Sequence, residues 1–116
     1  MASNKAYKSF SQFYPYYLTE HANKKNRLLH FCGTTLLILI LLISILLQKW
    51  WALLFIPLVG YGFAWIGHFF IEKNKPATFT YPLYSLAGDF VMFWHMLTGK
   101  IDEQLQNSNK LKEKRF

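Results

Sequence analysis

Apolar positions along this chain are gathered into blocks rather than spaced in stripes. The stretch TTLLILILLISILL carries no charged residue over 14 positions. Extended back to Leu28, the run is 20 residues, enough for a helix to cross a hydrocarbon layer about 30 Å thick. A second run, WWALLFIPLVGYGFAWIGHFFI, holds 22 residues without a formal charge. Only Gln48 and Lys49 lie between them. This pattern predicts two helices folded back on each other across a membrane, because a helix apolar on every side must be buried in a core or in lipid.

The flanking segments predict shorter elements. Residues 7–25 place Tyr7, Phe10, Phe13, Tyr14 and Tyr17 at helical spacing, interrupted by Pro15. This reads as an interfacial helix with aromatic rings at headgroup level. After the second run, EKNKPATFTYP is a polar loop whose two prolines stop the helix. Segment 83–98, LYSLAGDFVMFWHMLT, is a third apolar helix containing Gly88, Asp89 and His95. It is expected to lie against the hairpin or to be re-entrant, with Asp89 facing inward. The tail from Lys100 is polar and reads as a frayed or disordered helix. The expected fold is an all-α membrane protein: a two-helix transmembrane hairpin, an N-terminal interfacial helix and a third apolar helix in a small bundle. Residues 1–116 form one membrane-embedded domain.

Charge adds an orientation. Of 13 Lys and Arg residues, five precede the first run, Lys49 lies in the break, Lys73 and Lys75 follow the second, and five are in the tail. The positive-inside bias then puts both termini and the 72–82 loop in the cytoplasm and the tight turn on the far side. A third full crossing would conflict with that bias. The net charge of +7 flanks membrane spans, so anionic lipid headgroups are expected as partners and nucleic acid is not. Residues 1–27 have no continuous apolar core, so no cleaved signal is expected. The lone Cys32 cannot form an internal disulfide and reads as a small apolar filler.

The candidate chemistry lies in the histidines. His30 and His68 are each 19 residues from Lys49. In a hairpin, equal residue counts from the turn mean equal depth, since each helical residue rises about 1.5 Å. Ionisable groups at such positions are costly and usually functional. Asn26 precedes His30 by one turn, with Thr34 one turn deeper on the same face. Glu72 follows His68 at i+4, placed to share an ion or to orient the imidazole. His21 lies nine residues before His30, on the opposite face of an unbroken helix, so it can join them only if the chain bends around 22–25. Imidazoles beside a carboxylate suit a non-haem iron oxygenase site, and zinc accepts the same ligands. His95 has no carboxylate or Asn at i±4 and reads as a surface or supporting residue. Other readings of the histidines are a haem held by His30 and His68, a zinc hydrolase or metal carrier, and simple hydrogen bonding in a lipid-binding adaptor. Gly60, Ala64 and His68 form a row that allows close helix approach, as does Gly33.

The segments YLTEHANKKNRLLHFCGT, GYGFAWIGHFFIEKNKPATF and YPLYSLAGDFVMFWHMLTGK resemble, in order and over about residues 10–100, a family of small membrane proteins of formerly unknown function. That family includes a fungal 2-hydroxy fatty acid dioxygenase of the endoplasmic reticulum. The resemblance implies an iron(II) enzyme that shortens a 2-hydroxy fatty acid by one carbon with dioxygen. It implies a site on the cytoplasmic side of the inner membrane in a bacterium, or of the endoplasmic reticulum in a eukaryote. The family's histidines fall on His21, His30 and His68 as metal ligands, and its GHxxxExxxPA pattern on Gly67, His68, Glu72, Pro76 and Ala77. His95 lies outside the pattern, and the fungal member departs at GDF, which leaves Asp89 without an implied role. Glu72 is the catalytic candidate, and Asn26, Arg27 and Lys73 are the substrate-binding candidates. Arg27 and Lys73 flank the depth at which a substrate carboxylate would lie. A 2-hydroxy acid could chelate iron through its carboxylate and hydroxyl while its alkyl chain lies in hydrocarbon. Homo-oligomer formation is compatible with this reading.

Overall fold

A computed structural model describes residues 7–115, and among these it contains helices and no strand. The helices are α1 (Phe10–Thr19), α2 (Lys24–Leu47), α3 (Phe55–Ile66), α4 (Pro82–Leu97) and α5 (Ile101–Arg115). A 3-10 turn, Trp50–Leu54, leads into α3, which runs on as a π-helical turn, Gly67–Glu72. A short 3-10 turn, Ala77–Phe79, precedes α4.

The α2 and α3 hairpin is closed by Gln48 in a left-handed conformation (φ 53°), whose N–H bonds the last carbonyls of α2. Close approach depends on missing side chains. A Cβ on Gly33 would stand 3.0 Å from the Phe63 Cβ, and one on Gly67 would stand 1.7 Å from the Asn26 Oδ1. Lys24–Leu47 and Trp50–Glu72 are both long and apolar enough to cross a membrane. Their most apolar stretches are only 22% and 17% buried in the protein, whereas the core helix of a soluble domain would be largely covered. Leu46 and Leu54, beside the turn, are 78% and 80% exposed.

At the other end, α1, α4 and α5 build a separate core around Phe13, Tyr17, Leu18, Tyr81 and Met92. Two expectations change here. The helix runs through Pro15: the lost N–H removes one bond, while the Ser9 side chain caps the first turn (Gln12 N–H to Oγ, 3.3 Å) and the buried rings hold the rest. The rings of Phe13, Tyr14 and Tyr17 are buried in this core, with α4 and α5 packed against α1. The tail, expected to fray, is the continuous helix α5 against α1. Gly99 (φ 76°) turns the chain back, Asp102 and Glu103 occupy the first turn where the helix dipole favours acids, and Ile101 and Leu105 reach the aromatic core.

Candidate metal centre

Three buried histidines converge where the two halves of the fold meet. The chain leaves the helix between α1 and α2, over residues 20–23, and this bend turns His21 over the mouth of the hairpin. His21 Nε2 lies 3.1 Å from His30 Nε2 and 3.0 Å from His68 Nε2, and one ligand atom from each of the three falls within 4.8 Å of the others. Two nitrogens each about 2.1 Å from one ion, at right angles, stand about 3.0 Å apart.

The outer nitrogens fix the tautomers in the way a ligand set requires. His21 Nδ1–H donates to the Tyr17 carbonyl (2.6 Å) and His30 Nδ1–H to the Asn26 carbonyl (3.0 Å). His68 Nδ1–H donates to Asn74 Oδ1 (2.6 Å). Asn74 is itself oriented, since its Nδ2 donates to the Glu20 carbonyl at 3.1 Å. Carbonyl oxygens only accept, so each Nδ1 carries the proton and each Nε2 presents a lone pair. Three lone pairs facing one point repel unless a cation lies between them. Burial, reinforced by the neighbouring imidazoles, holds His21 well below the usual histidine range, so a metal rather than a proton suits the point of convergence. With the His21 ring beside both others (centroids 4.4 and 4.5 Å), no porphyrin slot separates His30 from His68.

The site borders a narrow space of about 20 Å³, room for about one water or ion, in an open cleft of about 280 Å³. Tyr61 and Trp65 of α3 stand at its apolar rim, 46% and 39% exposed. The opposite wall is α4, which contributes Ser85 and Asp89. Tyr17 stacks on His21 with centroids 4.1 Å apart, and its hydroxyl donates to Asp89 Oδ1. Burial pushes the Asp89 carboxyl up to about 6 despite that hydrogen bond. Tyr17 is held well above its usual range by burial and by the adjacent carboxylate.

The remaining sequence candidates lie around this centre rather than in the cleft. Glu72 accepts the backbone N–H of Asn23 (2.5 Å) and more weakly the Asn26 Nδ2 (3.4 Å). It thus fastens the start of α2 to the end of the second span. Its expected hold on His68 is made instead by Asn74, six residues on. Asn26 is wholly buried against Gly67. Arg27 Nη1 donates to the carbonyls of His21 (2.9 Å) and Ala22 (2.7 Å), pinning the bend. Lys73 is exposed, in a left-handed conformation that ends the π turn. His95 is outside the triad, with Nδ1 2.7 Å from the Tyr14 hydroxyl. The pattern of residue types did not single out Asn74, Ser85 or Tyr61 for the site. An Asn six residues past a membrane histidine and a Ser one turn before an intramembrane-type Asp were the signals present.

No curated protein and no solved structure matches the chain. A family model described as 2-hydroxy-palmitic acid dioxygenase Mpo1-like matches residues 7–101, a span that contains all three histidines, Asn74, Ser85 and Asp89. On that match over most of its length, the chain belongs to the Mpo1-like family.

Proposed function

We propose that this protein is a membrane-embedded, iron(II)-dependent dioxygenase that shortens 2-hydroxy fatty acids by one carbon. The observation that carries the reading is the convergence of three Nε2 lone pairs whose Nδ1 protons are all fixed by oxygen acceptors. His21, His30 and His68 would hold the metal, and the bound iron would supply the redox centre at which dioxygen is reduced. Three neutral imidazoles leave a divalent cation's charge uncompensated in a buried place. An anionic substrate such as a 2-hydroxy carboxylate offsets it, which an uncharged lipid could not do. Oxidation of R–CH(OH)–COOH to R–COOH and carbon dioxide releases four electrons, the number one dioxygen accepts, so the net reaction with dioxygen also yields one water and needs no further reductant.

The chain's own residues bind, orient and exclude. Asn74 and the carbonyls of Tyr17 and Asn26 keep the imidazoles in one tautomer. Arg27 and Glu72 position the bend and the helix ends that carry the histidines. Tyr61 and Trp65 give the alkyl chain an apolar exit from the cleft on the face of α3, in keeping with a site beside the hydrocarbon layer. The charge bias favours the cytoplasmic side for this end of the hairpin. The test is metal analysis of protein purified without oxygen, followed by oxygen uptake and product chain length with 2-hydroxypalmitate and with palmitate. One iron per chain and a product one carbon shorter, formed from the 2-hydroxy acid alone, are expected. Full metal loading without oxygen uptake would sink the dioxygenase reading.

A further inference from the structure

Ser85 is 4% exposed, and its Oγ has no hydrogen-bond partner. Several other hydroxyls in the chain are paired with the backbone. Thr35, Ser44, Thr98 and Ser108 each donate to the carbonyl four residues earlier, at 2.8, 2.6, 2.8 and 2.8 Å. Leaving a buried hydroxyl unpaired costs stability. The other unpaired buried side-chain oxygen, Asn26 Oδ1, has a packing explanation: it lies where a Gly67 Cβ would be, against that residue's Cα–H. Ser85 has no such explanation, and it lines the histidine cleft.

Asp89 lies one turn further along the same face of α4 and lines the same cleft. One of its oxygens accepts from Tyr17, and Gly88 makes this possible: a Cβ there would stand 3.0 Å from the Tyr17 ring. The second oxygen is available to accept. The α4 wall thus offers one free donor and one free acceptor across from the metal ligands, spaced by one helical turn.

We propose that Ser85 and Asp89 read the 2-hydroxyl group of the substrate, and so set the preference for 2-hydroxy over unsubstituted fatty acids. This rests on the functional reading above and adds the residues that discriminate. The Asp89 carboxylate accepts the substrate's O–H, and the Ser85 hydroxyl donates to the same substrate oxygen. The negative charge of Asp89 also turns the substrate carboxylate away from α4. An acid without the 2-hydroxyl leaves the Ser85 hydroxyl and the second Asp89 oxygen unpaired in the cleft wall, which is how polar pockets reject such analogues.

The experiment uses metal-loaded full-length protein in detergent without oxygen, and measures equilibrium binding of 2-hydroxypalmitate and palmitate by calorimetry. Wild type should prefer the hydroxy acid at least about tenfold. Ser85→Ala should weaken 2-hydroxypalmitate about tenfold, leave palmitate within about twofold, retain its metal, and melt no lower than wild type. A Ser85→Ala protein that binds both acids as wild type does, or loses both equally, overturns the proposal and leaves the dioxygenase reading standing. Metal-loaded wild type that binds neither acid overturns both.

Discussion

Asn74→Ala should weaken metal binding more than any change at Glu72, although Glu72 is the residue at helical spacing from His68. Asn74 Oδ1 takes the His68 Nδ1 proton at 2.6 Å and its Nδ2 holds the Glu20 carbonyl at 3.1 Å. Truncation leaves a buried N–H without an acceptor, worth about 1–3 kcal/mol, and releases the imidazole to adopt the other tautomer, which withdraws the Nε2 lone pair. Loss of such a supporting contact typically costs about 10–100-fold in metal affinity, the same range by a separate route. Asn74→Asp separates the two bonds: it keeps an acceptor for His68 and loses the donor to Glu20, so metal affinity should survive while thermal stability drops. Glu72→Gln keeps an acceptor for the Asn23 N–H and loses only its charge at the start of α2, worth about 0.3–1 kcal/mol, with metal affinity changing less than about threefold. Competition with a chelator reads the affinity and melting in detergent reads the stability. If Asn74→Ala binds metal as tightly as wild type while Glu72→Gln loses it, Glu72 belongs to the metal shell and the tautomer argument fails.

His21→Ala should lose bound metal while His95→Ala retains it, since the His95 ring is spent on Tyr14; elemental analysis of both variants decides, and the reverse ranking would move the third ligand to α4. Gly67→Ala should destabilise the protein by about 1–3 kcal/mol and lower metal affinity, because the new Cβ cannot coexist with Asn26 at 1.7 Å unless the two helices carrying His30 and His68 part; unchanged melting and metal affinity would show that the side chain swings aside freely. Metal-free protein should lose stability as pH falls through about 6.5, because burial keeps His21 unprotonated when folded and the unfolded chain then binds the extra proton. Asp89 acts in the opposite sense below pH 6, where the folded state binds its proton more readily, so Asp89→Asn should steepen the acid loss; a melting temperature that rises from pH 7 to pH 6 would contradict the His21 assignment.

The hairpin was legible because uninterrupted apolar runs and a two-residue polar break leave few ways to fold. Depth counted from Lys49 brought His30 and His68 together even though the path is not uniformly α-helical. The 3-10 turn Trp50–Leu54 rises about 0.5 Å more per residue than an α-helix, an error of about half a turn over five residues. Long imidazole side chains absorb that. The bend that admits His21 could also be deduced, as the one geometry in which nine residues of separation end on the same face. What could not be read was which segments would find partners. Aromatics at helical spacing look alike whether they face headgroups or a protein core, and the tail's few apolar residues gain meaning only once α1 presents a surface to them.

The departure at Glu72 has a more specific cause, and it bears on how the site is built. Gly67–Glu72 is π-helical, and the residue that opens it is the one pressed against Asn26. A glycine there lets α2 approach closely enough for Asn26 to lie against the backbone. The π turn ends with Lys73 in a left-handed conformation; Glu72 bonds the start of α2, and Asn74 reaches back to His68. Close packing at Gly67, the π turn, the fastening of α2 by Glu72 and the orientation of His68 are therefore one linked arrangement. A sequence pattern of Gly-His followed by Glu and Asn preserves all four together, with each residue serving a neighbour that helical spacing alone would not assign to it.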